Sequence, residues 1–482
     1  MPKNYTLFTH YLKGYSGFTG GPVMSSCFNP LELSDFARYY GFHYDSLDPA
    51  ALVKEILIDM ERGLEGKSSS LPMIPSYISP VSKVQPGKTV LALDAGGTNL
   101  RASLVHFDSQ GRAVAEETVK HPMPGTRGRV DSGQFFDVIA DAALAVLENA
   151  PDVSGIGFTF SYPMEMQTNA DGILLAFSKE VDAPDVIGKA IGAGLREALA
   201  RKGHIYDGPI VLLNDTVATL LSGLVTIPID GTDAASPKEP MSGINTYDFP
   251  GGPVIGFILG TGFNTAYPEA SIPKIGFKSN EAPQIVVCET GTFNLRYRGP
   301  LDREFDSTTK NPGAYPLEKT TSGAYIGPLT QHILKQAVKD NVIRFKKSAE
   351  FLAMSQVDTK ILNEFSRFPL AGEGPIGSLF TQDEGDALAA MLYLISIVTE
   401  RGALFSASVL AATVEHMQAG CEPYAPVRIA VEGSTYMLYK GMRRSLDSWL
   451  HTLLARERPR PYIISPVEQA SLFGAAVAAV SK

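Results

Sequence analysis

Apolar residues recur at three- and four-residue steps through DPAALVKEILIDMERGLEG, at Leu52, Ile56, Leu57 and Met60. That period predicts a helix entered at Asp48-Pro49 and stopped by Gly66. The preceding LELSDFARYY has a similar pattern, so helix is expected from Pro30 to about Glu65, behind an aperiodic arm over residues 1–29. Residues 68–86, rich in Ser and Pro, read as a linker or crossing segment. The pattern then changes. Residues 89–94 and 101–107 are strand-like runs flanking Ala95-Gly96-Gly97-Thr98-Asn99, a hairpin closed by a glycine turn. A helix (137–149), a strand (155–160), a helix (183–201) and an apolar strand (210–213) ending at Asn214-Asp215 follow. Residues 226–252, dense in Gly, Pro, Asp and Ser, read as a surface excursion. The run 254–259 with Gly260-Thr261-Gly262-Phe263-Asn264 then repeats the earlier hairpin 165 residues on, counted from Gly97 to Gly262. Helical pattern fills most of 291–416, with a Pro- and Gly-rich break near 369–378. A final strand (427–431), a helix and a small-residue helix (468–480) close the chain. The repeated hairpin suggests a duplicated α/β core whose lobes face each other across a cleft, although strings this short leave chance repetition open.

Composition narrows the class without naming a chemistry. At roughly 100–200 residues per domain, the 482 residues allow two or three domains. Lys and Arg number 42 against 51 Asp and Glu, a net charge of −9, which argues against a nucleic-acid partner. The three cysteines, Cys27, Cys288 and Cys421, are scattered and form no CxxC pair, so a reducing, cytoplasmic setting is expected. The first residues contain no apolar stretch long enough for a signal peptide. The most apolar run, 387–399, has 13 residues before Glu400-Arg401, short of the about 20 that a membrane span needs. It reads as a buried helix, with no membrane segment.

Several motif-like strings fail on spacing. Gly63-Leu64-Glu65-Gly66-Lys67-Ser68 has two residues between its glycines where a P-loop needs four. No HExxH or GxSxG occurs, and the eight histidines are scattered. The glycine hairpins remain. A residue without Cβ lets backbone N–H groups approach an anion, and neighbouring Thr hydroxyls add donors. Asp94, at a strand end before such a turn, could hold a water of a Mg²⁺ sphere brought by a nucleotide, or simply bond its own turn. Asp215 closes an apolar strand, where α/β proteins bind ligands, and is equally a helix start. Glu289, Glu318 and Glu432 each precede or sit in Gly-, Ser- and Thr-rich turns.

Taken in order, these strings resemble the hexokinase family over roughly residues 50–480. Asp94-Ala-Gly-Gly-Thr-Asn-Leu-Arg101 resembles its first phosphate motif, and Gly157-Phe-Thr-Phe-Ser-Tyr-Pro163 its sugar signature. Phe177-Ser178-Lys179 stands where that signature has Trp-Thr-Lys. Asn214-Asp-Thr-Val217 resembles the catalytic strand end, and Leu259-Gly-Thr-Gly-Phe-Asn264 the second phosphate loop. Glu289-Thr-Gly-Thr-Phe293 stands where the family has Glu-Trp-Gly-Ala-Phe, so it lacks the Trp and the Ala. Leu317-Glu-Lys319, Ser322-Gly323 and Tyr325-Ile-Gly327 resemble its Glu-Lys-Met-x-Ser-Gly-x-Tyr-Leu-Gly stretch. Glu432-Gly-Ser-Thr-Tyr436 resembles the adenosine motif, with Glu for Asp.

The resemblance implies a two-lobed actin-like ATPase (ribonuclease H-like) α/β fold with a cleft between a small and a large lobe. The small lobe would be residues 67–215 and 463–482, and the large lobe 30–66 and 216–462. It implies transfer of the ATP γ-phosphoryl to the C6 hydroxyl of a hexose (glucose, mannose or fructose), the first step of glycolysis, with Mg²⁺ as cofactor. Asp215 would be the base and Lys179 would offset developing phosphate charge. Ser161, Ser178, Lys179, Asn214, Asn264, Glu289 and Glu318 would hold the sugar. Gly96, Gly97, Thr98, Asn99, Arg101, Gly260 and Thr261 would line the phosphates. Gly433, Ser434 and Ser471 would lie near the nucleoside, and Asp94 near Mg²⁺ through water. A sugar sensor without turnover and another actin-like ATPase are the rival readings.

Overall fold

Helix starts follow the caps available in the chain. The Asp48 carboxylate accepts from the N–H groups of Ala50 and Ala51 ahead of helix Pro49–Leu64. Asp131 and Gln134 form a reciprocal capping box, so the next helix is Ser132–Leu147 and begins before the expected residue 137. A left-handed Gly188 splits the helix expected over 183–201 into a short turn, Pro184–Val186, and the helix Ile191–Arg201. In this computed structural model residues 28–481 are described, except 81–83, 110, 117, 149, 151, 178–180, 227–251, 280–281, 370–371, 423–424 and 457–458. Nearly all of the expected arm and excursion therefore lie outside the described residues.

Two sheets share one plan. In the first, strand Thr89–Ala95 pairs antiparallel with Asn99–Phe107 and parallel with Ile156–Phe160, which pairs parallel with Ile210–Leu213. In the second, Val254–Leu259 pairs antiparallel with Phe263–Glu269 and parallel with Val427–Glu432, which pairs parallel with Tyr462–Pro466. Each sheet thus contains a glycine hairpin followed by two parallel strands, and the duplication suspected from the hairpins holds for these four strands.

The two helices that leave these sheets change sides. Asp215–Thr226 follows the last strand of the first sheet and packs on the second. Ala470–Ala479 follows the last strand of the second and packs on the first. They also pack on each other so closely that a Cβ on Gly474 would collide with the Ala218 backbone. Together they form a middle layer whose apolar core takes side chains from both sheets, including Val90, Leu213, Leu220, Val254, Ala430 and Leu472. The outer face of the first sheet is covered by Ser132–Leu147 and Ile191–Arg201. The outer face of the second carries a larger core that includes Pro30–Tyr39, Pro49–Leu64 and Gly385–His416.

The expected lobe limits shift at both joins. Leu71 and Met73 are buried in the large-lobe core, and Ile74–Pro75 adds an edge strand beside Val286 and Val287. Proline is tolerated there because an edge strand leaves one row of N–H groups unused. Residues 463–466 pair with the large-lobe strand, so the return to the small lobe falls after Pro466.

Nor does the apolar run end as a helix at Glu400-Arg401. The helix Gly385–His416 is 32 residues long and, by length and composition alone, could cross a bilayer. It lies instead in the large-lobe core. Arg401, fully buried, is neutralised by two bonds of 2.8 and 2.7 Å to Asp302.

Candidate active site

Four strand ends and two turns converge on one region. At the end of Ile210–Leu213, the Asn214 side chain accepts from Thr216 N–H at 2.7 Å and caps the helix that Asp215 begins. Asp215 is thereby held half-exposed at the helix start, ahead of the fully apolar Val217-Ala218 turn. One turn on, Thr219 donates to the Asp215 carbonyl at 2.9 Å and lies 3.3 Å from Glu432 Oε2. Glu432 ends the neighbouring strand of the second sheet, so this hydroxyl touches both halves of the molecule.

Beside Asp215 lies a second acidic group. Asn264 donates to Glu289 Oε1 at 2.8 Å and accepts from Thr265 N–H at 2.8 Å. Phe263 N–H donates to Glu318 Oε2 at 3.1 Å. Glu289 adopts a left-handed backbone (φ 56°), which costs a non-glycine residue about 1–3 kcal/mol unless its surroundings hold it. Burial, opposed by the Asn264 bond and reinforced by the charges of Asp215 and Glu318, pushes the Glu289 carboxyl up to about 7. Burial also raises Glu318, with Asp215 adding to the shift against the Phe263 bond. Glu432 is pushed up to about 7 by burial and then by the charges of Asp215 and Asp94. These acids share one low-dielectric neighbourhood. Such carboxyls accept from, or when protonated donate to, the hydroxyls of a polyol.

The two glycine turns border this acid cluster. In the first, Gly96 N–H donates to the Asn99 carbonyl at 2.9 Å, and Tyr162 Oη donates to the Gly96 carbonyl at 2.9 Å. Gly97 is partly exposed, and Thr98 and Asn99 are exposed. Asp94 does not stand free at the strand end for a metal. Its partner across the hairpin, Arg101, donates to Oδ2 through Nε at 2.8 Å and again through Nη2. Any part Asp94 takes at a Mg²⁺ sphere would have to coexist with that ion pair. Ser161 N–H donates to the Ala95 carbonyl at 3.2 Å, which fastens the sugar signature to the first turn.

The second turn is tied more heavily. The Gly260 carbonyl accepts from Gly323 N–H at 2.7 Å and from Thr435 Oγ1 at 2.8 Å, and the Thr261 carbonyl accepts from Ala324 N–H at 3.2 Å. Gly433 has φ 131°, and a Cβ there would collide with the Leu259 backbone. Only glycine fits that close approach. Ser434 is exposed beside it, while Ser471 is buried on the central helix with its carbonyl accepting from Thr159.

The expected residues Asn214, Asp215, Asn264, Glu289 and Glu318 are thus brought together, with both glycine turns adjacent. Ser178 and Lys179 lie outside the described residues. Phe177, in place of Trp, packs edge-on to Tyr162 at 5.1 Å and tilts against Phe135 at 5.7 Å. Three residues were not expected at the site, Thr219, Tyr162 and Thr435 as fasteners, while Glu432, singled out as a carboxylate and as the start of the adenosine motif, also stands near Asp215. Thr219 could have been found four residues after Asp215 on a helix, where its hydroxyl reaches back to the Asp215 carbonyl. The others depend on which strands become neighbours.

Comparison with known proteins points to one family. Two family models, both described as hexokinase, match residues 33–225 and 254–481. Hexokinase-2 of Candida albicans is 28% identical, with 89% of this chain and 88% of that protein covered. Human hexokinase-3 is also 28% identical over 83% of this chain, but only 42% of its own length is matched. A Schistosoma mansoni hexokinase solved with glucose superposes with a TM-score of 0.71 at 22% identity, covering 94% of this chain and all of that one.

Proposed function

This chain belongs to the hexokinase family of phosphotransferases, and from that premise we propose that it transfers the γ-phosphoryl of ATP to the C6 hydroxyl of a hexose. Glucose is the first substrate to test, with mannose and fructose as alternatives, and the product would enter glycolysis in the cytoplasm. The observation that supports this most is the gathering of Asp215, Asn264, Glu289 and Glu318 beside two glycine turns.

Asp215, capped by Asn214 and half-exposed, is suited to accept the proton of the attacking hydroxyl. Asn264, Glu289 and Glu318 would orient the sugar, together with Ser161, Ser178 and Lys179. Phosphoryl transfer leaves the protein mainly positioning and charge stabilisation to supply. The backbone N–H groups of the two turns, with Thr98, Arg101 and Thr261, would meet the phosphates. Gly433, Ser434 and Ser471 would lie toward the nucleoside. Among the described residues no three His, Cys, Asp or Glu side chains converge as a metal cage. Mg²⁺ would arrive on the phosphates, with Asp94 near it through water, and would supply charge neutralisation at the transferred group.

Purified chain with ATP, Mg²⁺ and a hexose panel should release ADP and hexose 6-phosphate in equal amounts. Sugar binding without ADP release would instead establish a sensor. ADP release indifferent to sugar would point to another ATPase.

A further inference from the structure

The left-handed Glu289 is held from outside the sugar site. The Thr292 hydroxyl, three residues on, lies 2.7 Å from the Glu289 carbonyl and 2.5 Å from the Ser70 carbonyl, as donor to both. Thr292 N–H also donates to the Glu289 carbonyl at 3.0 Å. Asn294 N–H donates to Ser70 Oγ at 2.8 Å. Ser70 is itself anchored, for its N–H donates to Asp59 Oδ2 at 3.0 Å and its hydroxyl bonds the same oxygen. Asp59 belongs to the large-lobe helix Pro49–Leu64. Ser70 stands at the start of the segment that buries Leu71 and Met73, adds the edge strand Ile74–Pro75 and then leaves for the first sheet. The family pattern that this string resembles has Ala at the position of Thr292.

We propose that Thr292 is a positioning residue of the sugar site, fastening the Glu289 turn to the anchored start of the segment that joins the two lobes. The proposal rests on the reading of Glu289 as a sugar ligand. The partly buried Ser70 carbonyl depends on this hydroxyl proton; removing it leaves that oxygen short of a donor and the Glu289 carbonyl with Thr292 N–H alone. The Glu289 backbone would then relax from its left-handed form and carry its carboxyl away from Asn264. Neither glycine turn would move, because no bond of this set reaches them.

Thr292→Val keeps the side-chain volume and removes the donor, while Thr292→Ser keeps the donor. The valine variant should raise the sugar KM about tenfold, the cost of one lost hydrogen bond of about 1.4 kcal/mol, with kcat and the ATP KM little changed. The serine variant should restore the sugar KM. A folded Thr292→Val with the wild-type sugar KM would overturn the proposal. Should that variant fail to fold, Thr292→Ala deletes the same donor without placing a methyl where the hydroxyl was. It should then raise the same KM, and an unchanged value would overturn the proposal equally. Amide hydrogen exchange over residues 289–293, faster in Thr292→Val than in wild type, tests the fastening without any turnover. Wild-type protein that fails to phosphorylate any hexose sinks the sugar reading, whereas unaltered exchange sinks the fastening.

Discussion

The turn at Gly260-Thr261-Gly262 is gripped from two sides, by Gly323 and Ala324 on one and by Gly433 and Thr435 on the other. The turn at Gly96-Gly97-Thr98 has the same hairpin behind it but far less around it. Tyr162 holds one carbonyl, Met123 N–H another, and a Cβ on Gly96 would meet only the Asn99 carbonyl, at 3.6 Å. Equal topology has therefore been given unequal rigidity. A preformed loop lowers the ordering cost of binding, and an open one leaves room for a ligand or a moving lobe. The acid end differs too. The last strand of the first sheet delivers Asp215, whereas the last strand of the second delivers the small residues of Ala470–Ala479.

The steepest test of that asymmetry is chemical. Asp215→Asn should cut kcat by about 10²–10⁴-fold, the range for a general base, while sugar affinity measured by calorimetry changes little. Near-normal turnover would assign the base elsewhere. Next comes rigidity. Gly433→Ala should destabilise the chain by about 3 kcal/mol or more in thermal or urea unfolding, since it adds a Cβ to a forbidden backbone against Leu259. Gly96→Ala, in ordinary contact space, should shift stability by only about 1 kcal/mol or less. If the first turn takes phosphate, this variant should instead weaken ATP. Comparable destabilisation by the two alanines would erase the distinction between the turns.

The smallest effect concerns pH. Burial lifts Glu432 from an ordinary 4.5 to about 7, so the folded chain keeps a proton that the unfolded chain releases. Between those values the native state binds more protons, and stability falls as pH rises toward 7. Glu432→Gln removes that contribution, so its Tm should fall less than that of wild type over the same range. An identical slope would mean that Glu432 titrates normally.

The shared plan of the sheets was legible because strand-like apolar runs flank recognisable glycine turns, and Ile210–Leu213 and Val254–Leu259 were found to the residue. The edge strands Ile74–Pro75 and Tyr462–Pro466 were hidden by proline and by their short length. Asp131 and Gln134 did announce a capping box, so the start of Ser132–Leu147 was readable but passed over. At the site, Asp215, Glu289 and Glu318 were legible through ordered motifs. The membership of Glu432 was not, because it depends on Val427–Glu432 pairing with a strand more than a hundred and fifty residues earlier. Thr292 looked like a mere departure from the family pattern, and only its two carbonyl partners reveal its use.

The exchanged helices carry a consequence for how such a molecule can be divided. In the language of oligomers, the chain is a domain-swapped dimer written as one polypeptide, each half lending its last helix to the other half's sheet. Either half expressed alone would present a sheet with one apolar face bare and a detached helix with nothing to cover. Asp215 begins one of those loaned helices. Its working position is therefore a property of both halves at once, and the two fragments, produced separately, should recover activity only when mixed.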